Sequence, residues 1–192
     1  MTPPGGLDAI AAQVKKGGGG APVHLWNPPY CGDLDIRIAA DGTWYYMRSP
    51  IGRMPLVKLF SSVLKREEGR FFLVTPVEKI GITVDDAPFT AVEMRVEGEG
   101  RERRLAFRTQ VEDWIEVGEE HPLRFEKEAG TGGVKPYLHV RRDLWALVSR
   151  ALFHDLASLG EVAPREGRDW FGVFIAGRFY PMVEATEIEG LT

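Results

Sequence analysis

The sequence has little cysteine and no long apolar run. Cys31 is its single cysteine among 192 residues, which excludes the intramolecular disulfide framework typical of small secreted domains. No apolar run approaches the roughly eighteen residues that a membrane-spanning helix needs, and no charged-then-apolar leader precedes the ordered part of the sequence. We therefore expect a cytoplasmic protein without a membrane span.

An excess of basic residues is also missing. Lys and Arg number 24 against 28 Asp and Glu, which gives a formal net charge of −4. Proteins that bind nucleic acid usually present a basic surface, so we expect no nucleic-acid partner. The hydrophobic content of 44% is enough to build a buried core.

Motifs that carry chemistry are absent as well. No histidine has a second histidine or a cysteine at the spacing of a zinc site, and no serine lies in a nucleophile-elbow context. The sequence therefore predicts no catalytic residue, no metal and no cofactor, and it favours a protein that is not an enzyme. The histidines concerned are His24, His121, His139 and His154.

Local patterns predict a mixture of strands and helices. A short helix is expected over residues 7–16, and Gly17 to Gly20 after it are typical of a flexible joint. Asp41 and Gly42 separate an alternating strand from an aromatic one, which is a strong signal for a β-hairpin. An amphipathic helix should start at Pro55 and stop at Gly69.

The remaining chain predicts a meander of short strands followed by a second helix. Asp143 is a suitable N-cap for that helix, which should end at Gly160. Short strands are expected within residues 70–110, broken at Thr75-Pro76, at Asp85 to Pro88 and at Gly98 to Gly100. Further strands are expected around residues 114–115, 123–125, 134–140, 170–175 and 179–183, with a hairpin loop at residues 130–136.

The two halves share one plan, in which a hairpin, an arginine-bearing turn, an amphipathic helix and a second hairpin follow each other. At a constant offset, Gly42, Tyr46, Leu56 and Val57 stand opposite Gly133, Tyr137, Leu147 and Val148. We therefore predict an α+β fold with two related, mostly antiparallel repeats. Its parts would be an N-terminal helix and linker (1–29), a first repeat domain (30–86) and a second repeat domain (87–192).

Arginines near the two predicted helix starts are candidate anion receptors. Arg48 and Arg53 flank the turn before the first helix, and Arg141 and Arg142 take the matching place before the second. Free backbone N–H groups beside an arginine can bind phosphate or carboxylate, and Trp44, Tyr45, Tyr46 and Tyr137 are close enough in sequence to stack a planar base. The alternative is that these arginines pair with acids such as Glu78 or Asp143, or lie in solvent.

Several stretches resemble one bacterial family. The segments "WNPPYCGDLDIRI", "DGTWYYMRSPIGR", "LVTPVEK", "VDDAPF" and, more loosely, "YLHVRRDLWALVSRALFHDLA" are similar to landmarks of the domain of unknown function 1285 (DUF1285) family. Its motif falls on Cys31, Gly32, Asp33, Arg37, Trp44, Ser49, Pro50, Ile51, Arg53, Thr75, Pro76, Glu78, Lys79, Tyr137, His139, Arg141 and Arg150. The family pattern has glycine before "SPI", where this chain has Arg48.

This resemblance implies a duplicated α+β protein whose C-terminal part is similar to pleckstrin-homology folds. It also implies a site between the two halves for a nucleotide-type ligand, a role in signal transduction with a signalling partner, and no established enzymatic activity. The ligand-binding residues predicted on this basis are Arg53, Trp44, Arg37, Glu78, Lys79, Tyr137, His139 and Arg141.

Two other hypotheses fit the same residues. A hydrolase of a phosphorylated metabolite would use Asp33 or Glu78 as general base and Arg53 on the anion. A protein-interaction module would use the strand-rich second half and need no small ligand.

Overall fold

The computed structural model describes residues 7–16 and 21–189. The chain divides into two compact units, Met1–Pro88 and Phe89–Thr192. The predicted joint at Gly17 to Gly20 lies outside the described residues. Within the described ranges, no helix is long and apolar enough to cross a membrane.

The first unit is built on a six-stranded mixed sheet with the strand order β3-β2-β1-β6-β5-β4. β1 and β6 are parallel, whereas the other neighbouring pairs are antiparallel. The helices are α1 (Leu7–Lys16), as predicted, and α2 (Met54–Ser62). The strands are β1 (Tyr30–Ile38), β2 (Trp44–Tyr46), β3 (Ser49–Pro50), β4 (Leu64–Glu67), β5 (Arg70–Val74) and β6 (Lys79–Val84).

The predicted hairpin at Asp41 and Gly42 is confirmed. Gly42 has a φ of 88°, which favours glycine, and the Asp41 carboxylate accepts a hydrogen bond from the Thr43 backbone N–H at 2.9 Å. That bond lowers the pKa of Asp41. The turn thereby brings β2 antiparallel to β1.

The helix predicted to run from Pro55 to Gly69 is shorter than expected. α2 starts at Met54, one residue before the predicted start, has Pro55 in its first turn and ends at Ser62. Leu64 continues the apolar helical stripe, yet it begins β4 and pairs with Leu73 of β5. Gly69 serves the β4–β5 turn with a φ of 78°, so strand pairing overrides the local helical pattern here.

The second unit contains another six-stranded sheet, in the order β10-β11-β12-β7-β8-β9, and a separate three-stranded sheet, β13-β14-β15. The strands of the large sheet are β7 (Phe89–Glu97), β8 (Arg104–Thr109), β9 (Trp114–Glu116), β10 (Leu123–Lys127), β11 (Val134–Arg141) and β12 (Leu144–Val148). After them come α3 (Arg150–Ser158), β13 (Glu161–Arg165), β14 (Arg168–Ile175), β15 (Arg178–Glu184) and α4 (Ala185–Glu189).

The second helix starts later than predicted. Asp143 does not cap it, because Leu144–Val148 form β12, which lies between β11 and a parallel neighbour, β7. α3 begins only after Ser149, whose hydroxyl accepts the Leu152 N–H at 3.5 Å. A central strand next to a parallel partner is apolar on both faces, so its sequence merges with the apolar stripe of the helix that follows.

The predicted duplication is confirmed as two repeated α+β domains, but the repeat has a different register from the one predicted. Read as β9-β8-β7-β12-β11-β10, the second large sheet has the topology of the first, including a central parallel pair. α2 separates the third and fourth strands of the first unit, whereas residues 117–122 connect them directly in the second. Leu56 and Val57 are helical while Leu147 and Val148 lie in a strand, so the offset that pairs them is wrong.

Candidate functional site

The eight predicted ligand-binding residues are divided between the units, and the structure places them in several different environments. Arg37, Trp44, Arg53, Glu78 and Lys79 belong to the first unit. The other three, Tyr137, His139 and Arg141, lie on β11 of the second unit.

Trp44 lies in the core of the first unit. It is 1% exposed, and its ring stacks on Phe60 of α2 with 6.3 Å between ring centroids. Its indole Nε1 has no hydrogen-bond partner among the described residues. Trp44 therefore supports α2 and does not present a ring face to solvent.

Arg53 immediately precedes α2 and is largely exposed. One of its guanidinium nitrogens donates to Asp8 Oδ1 of α1 at 3.2 Å. A cavity of about 370 Å³ adjoins this pair and is also lined by Ala11 and Leu59. An exposed ion pair of this kind contributes little to stability, and Arg53 joins the two helices of the first unit.

Arg37 and Glu78 also have partners within the first unit. The Arg37 Nε donates to Asp85 at 3.0 Å, and its guanidinium lies 5.2 Å from the centroid of the Tyr45 ring. Glu78 lies in the turn between β5 and β6, where its backbone N–H donates to Thr75 Oγ1 at 3.0 Å. The residue thus shapes the turn through its main chain.

One face of the first sheet carries a row of side chains that crosses four strands. Lys65, Phe72, Gly81 and Asp33 stand opposite one another on β4, β5, β6 and β1. Asp33 Oδ1 accepts hydrogen bonds from the Tyr30 hydroxyl at 2.8 Å and from Arg70 at 2.9 Å. A Cβ on Gly81 would lie 1.9 Å from that oxygen, so only glycine leaves room for the Asp33 carboxylate.

Lys79 belongs to the same face. Its ammonium lies 2.8 Å from Glu67, which also pairs with Lys65 at 2.7 Å, and 5.0 Å from the centroid of the Phe72 ring. Hydrogen bonds from Lys65 and Lys79 lower the pKa of Glu67. A cavity of about 640 Å³ borders this face. Both lysines therefore already have an acidic partner, although their two positive charges exceed the single negative charge of Glu67.

Tyr137 and His139 are engaged with their own unit. Tyr137 is buried, and the Arg124 guanidinium lies 5.5 Å from its ring centroid. The ring nitrogens of His139 lie within hydrogen-bond distance of two backbone oxygens, with Nδ1 2.8 Å from Glu120 and Nε2 2.6 Å from Arg142. His139 therefore joins β11 to the loop before β10 and to the hairpin after β11.

Arg141 does not precede a helix as predicted, because it ends β11 at the hairpin that leads into β12. Its guanidinium lies 5.1 Å from the centroid of the Phe89 ring, and burial lowers its pKa. Arg141 consequently does not repeat the structural position of Arg53.

Sequence reasoning missed two adjoining cavities in the second unit. The first measures about 530 Å³ and is lined by residues that include Pro136, Leu147, Arg150, Phe153 and His154. The second measures about 880 Å³. Its lining is mostly apolar and includes Phe153, Ala157, Val162, Phe171, Met182 and Ile188. Phe153 lines both cavities, so they meet along α3.

Two side chains at the first cavity have no polar partner. Among the residues that the structure describes, neither the Arg150 guanidinium nor the His154 imidazole makes a hydrogen bond or an ion pair. The family resemblance includes Arg150, but the predicted ligand-binding set does not. The signal in the sequence was the spacing of Arg150, Phe153, His154 and Ala157, which places them on one face of a helix.

The described ranges hold no cluster of three or more His, Cys, Asp or Glu side chains arranged to bind a metal ion. Cys31 is exposed, with its Sγ 3.3 Å from the Pro29 carbonyl oxygen. In the first unit, Asp33 is held by Tyr30 and Arg70, as described above.

Comparisons with known proteins agree on one family. Residues 21–87 match the domain of unknown function (DUF1285), N-terminal domain, and residues 88–182 match the protein of unknown function (DUF1285), C-terminal domain. No curated protein matches the chain significantly.

Two crystal structures are similar to this chain. A DUF1285 family protein from Silicibacter pomeroyi DSS-3 is 52% identical, with 96% of this chain and 98% of that chain covered and a TM-score of 0.86. A second, from Shewanella baltica OS155, is 26% identical, with 64% of this chain and 90% of that one covered and a TM-score of 0.49. Because both domain matches and the Silicibacter protein span most of its length, the chain belongs to the DUF1285 family.

Proposed function

We propose that this chain is a non-enzymatic, cytoplasmic binding protein that holds a small ligand in its second unit and acts in regulation. The observation that supports this function is the pair of adjoining cavities along α3. Their volumes, about 530 and 880 Å³, lie in the range of small-molecule sites, which are mostly apolar with a few polar groups that orient the ligand.

The family resemblance extends this proposal. It suggests a nucleotide-type ligand, a signalling partner and a pleckstrin-homology-like character for the second unit, and all three stay predictions. We favour binding over hydrolysis because one of the two carboxylates proposed as a base, that of Asp33, already accepts hydrogen bonds from Tyr30 and Arg70.

The proposal can be tested with an uncharged probe that does not depend on knowing the ligand. Nile red changes its fluorescence when it leaves water for an apolar site, so its titration reports on the cavities. Ala157 lines the second cavity, and Ala157→Phe should fill part of it. Ala151→Phe is a matched control, because Ala151 is exposed on the same helix and does not line either cavity.

We expect wild type and Ala151→Phe to bind about one equivalent of Nile red saturably, and Ala157→Phe to lose that binding while its circular dichroism stays unchanged. Should Ala157→Phe fail to fold, Ala157→Leu replaces it. Non-saturable binding in wild type, or unchanged binding in the folded Ala157 variant, would overturn the proposal.

A further inference from the structure

We infer that the ligand of the second unit is an organic monoanion with an apolar body about 10 Å long, of the class of medium-chain carboxylates. This inference rests on the proposed function, and it adds the charge, the polarity and the length of the ligand. It follows from the side chains that α3 presents to the two cavities.

α3 presents one continuous face to both cavities. Arg150, Phe153, His154 and Ala157 are spaced i, i+3, i+4 and i+7, which places them on one side of the helix, and each lines at least one cavity. Arg150 and Ala157 are separated by seven residues, or about 10 Å along the helix axis. A ligand that touches both residues must therefore have about that length.

The polarity of this face changes along the helix. Arg150 and His154 line only the first cavity, whereas Ala157, Val162 and Met182 line only the second. A ligand that fills both cavities would therefore place a polar group at one end and an apolar tail at the other. Burying that tail would supply most of the affinity, at about 0.8 kcal/mol for each CH₂ group.

The charge balance of the lining indicates a single negative charge on the ligand. Glu128 has its own cation in Lys135 at 3.4 Å, and Glu187 has Lys127 at 2.7 Å. Arg150 has no such acidic partner within the described residues. Several other exposed arginines of the second unit do have a carboxylate partner, such as Arg104, which pairs with Glu116 at 2.7 Å.

One uncompensated guanidinium suits a carboxylate better than a polyphosphate. Arginine can bind both oxygens of a carboxylate at once, and His154 could add a hydrogen bond. A nucleotide with several phosphate charges would meet the carboxylates of Glu128 and Glu187 and, among the described residues of the lining, one arginine without an acidic partner. The inference therefore selects a monoanion over the nucleotide-type ligand that the family resemblance suggests.

Displacement of Nile red by matched compounds tests this inference. Decanoate and 1-decanol have the same tail and differ in their charge, while ATP and cyclic di-GMP represent nucleotide-type ligands. Each compound would be titrated against the Nile red complex of wild type, Arg150→Ala and Arg178→Ala. Arg178 is a matched control, because it is an exposed arginine of the same unit that lines neither cavity.

We expect decanoate to displace the dye from wild type at lower concentration than 1-decanol, and the nucleotides not to displace it. Loss of a charge-assisted hydrogen bond should weaken decanoate binding about tenfold or more in Arg150→Ala, with 1-decanol binding unchanged and Arg178→Ala like wild type.

Three results would overturn the inference. They are displacement of the dye by a nucleotide, failure of decanoate to displace the dye, and a preference for decanoate over 1-decanol that is as large in Arg150→Ala as in wild type. Each presupposes that Nile red still binds. If the dye does not bind wild type at all, the proposed function itself fails, so the two failures can be distinguished.

Discussion

At the scale of single residues, Arg48 occupies a backbone conformation that usually favours glycine. Met47 and Arg48 form the turn between β2 and β3 with φ values of 47° and 67°. Three other two-residue turns, Glu68-Gly69, Glu166-Gly167 and Ala176-Gly177, have the same pair of positive φ values with glycine second. Glycine at position 48, which the family resemblance implies, would therefore have a conformational reason.

Replacing Arg48 with glycine should stabilise the protein. The left-handed conformation costs a non-glycine residue roughly 1–2 kcal/mol, and the extra freedom of glycine in the unfolded chain offsets about 0.5–1 kcal/mol of that gain. We expect Arg48→Gly to raise the free energy of unfolding by about 0.5–1 kcal/mol, as measured by urea denaturation.

The reciprocal substitution provides the control. A Cβ on Gly69 would meet no other atom within 4 Å, so Gly69→Ala should destabilise through its backbone alone, by about 1 kcal/mol. A stability of Arg48→Gly equal to or below that of wild type would contradict this account.

The constraint at Gly81 is steric rather than conformational. Gly81→Ala would push its methyl group into Asp33 Oδ1 and disturb the hydrogen bonds from Tyr30 and Arg70. We expect a loss of about 0.5–1 kcal/mol in the free energy of unfolding, because the exposed Asp33 side chain would have to move and give up its pairing. In the Asp33→Ala background the same substitution should cost less, with a coupling above about 0.5 kcal/mol in a double-mutant cycle. Additive losses would show that Asp33 is not what restricts the site.

At the scale of elements, an ion pair connects two strands that are not neighbours in the sheet. Glu67 of β4 reaches Lys79 of β6, with Phe72 of β5 between them. The pKa of Glu67 is lowered from its ordinary value of 4.5, so the folded state favours its ionised form. The resulting stabilisation is present above that value and is lost as the pH falls through the lowered pKa.

Unfolding measured as a function of pH tests this link. Relative to Glu67→Gln, wild type should be more stable at neutral pH, and its advantage should shrink as the pH falls below about 4.5. Glu68→Gln, a change at the exposed neighbouring residue, should leave the pH profile close to that of wild type. A constant difference between wild type and Glu67→Gln across the acid range would contradict the assignment.

Elements with a local signal were predicted well from the sequence, and elements set by their neighbours were not. α1 and the hairpin at Asp41 and Gly42 depend on local propensity, and both are present as predicted. β4 continues the apolar stripe of the helix before it, and it is a strand because it pairs with β5. β12 in turn precedes a helix whose apolar stripe it continues, and it is a strand because it pairs with β7. The local pattern of such a segment fits both a helix and a strand.

The candidate site was less predictable for the same kind of reason. Trp44 combines an aromatic ring with an arginine-rich neighbourhood in sequence, but it packs on Phe60 in the core. The cavities of the second unit arise where α3 meets the 130–134 loop and the C-terminal strands. Residues so far apart in sequence carry no joint signal, and the only local one was the helical spacing that begins at Arg150.

At the scale of the whole molecule, each unit has its own sheet and its own buried residues. Trp44 and Leu73 are almost fully buried in the first unit, as are Phe107 and Leu138 in the second. Among the residues that the structure describes, each strand of a six-stranded sheet belongs to that sheet alone. A unit with its own sheet and its own buried residues resembles a domain that can fold alone.

We therefore expect residues 1–88 and 89–192 to fold as separate polypeptides. Each should show a strand-rich circular dichroism spectrum and a single cooperative urea transition, since each retains a complete six-stranded sheet. The wild-type full chain and two variants of it, Gly81→Ala for the first unit and Ala157→Phe for the second, would serve as references. A piece without a cooperative transition would contradict the expected autonomy of that unit.

The parallel pair at the centre of each sheet also determines how a unit would respond to mechanical force. β1 and β6 are the first and last strands of the first sheet, and β7 and β12 hold the same places in the second. Each pair is parallel. A force that pulls the chain apart at the start of the first strand and at the end of the last strand would therefore slide these central strands past each other along their axes. Their hydrogen bonds would then bear the load together rather than open one at a time, so each repeat should resist being unravelled from its ends.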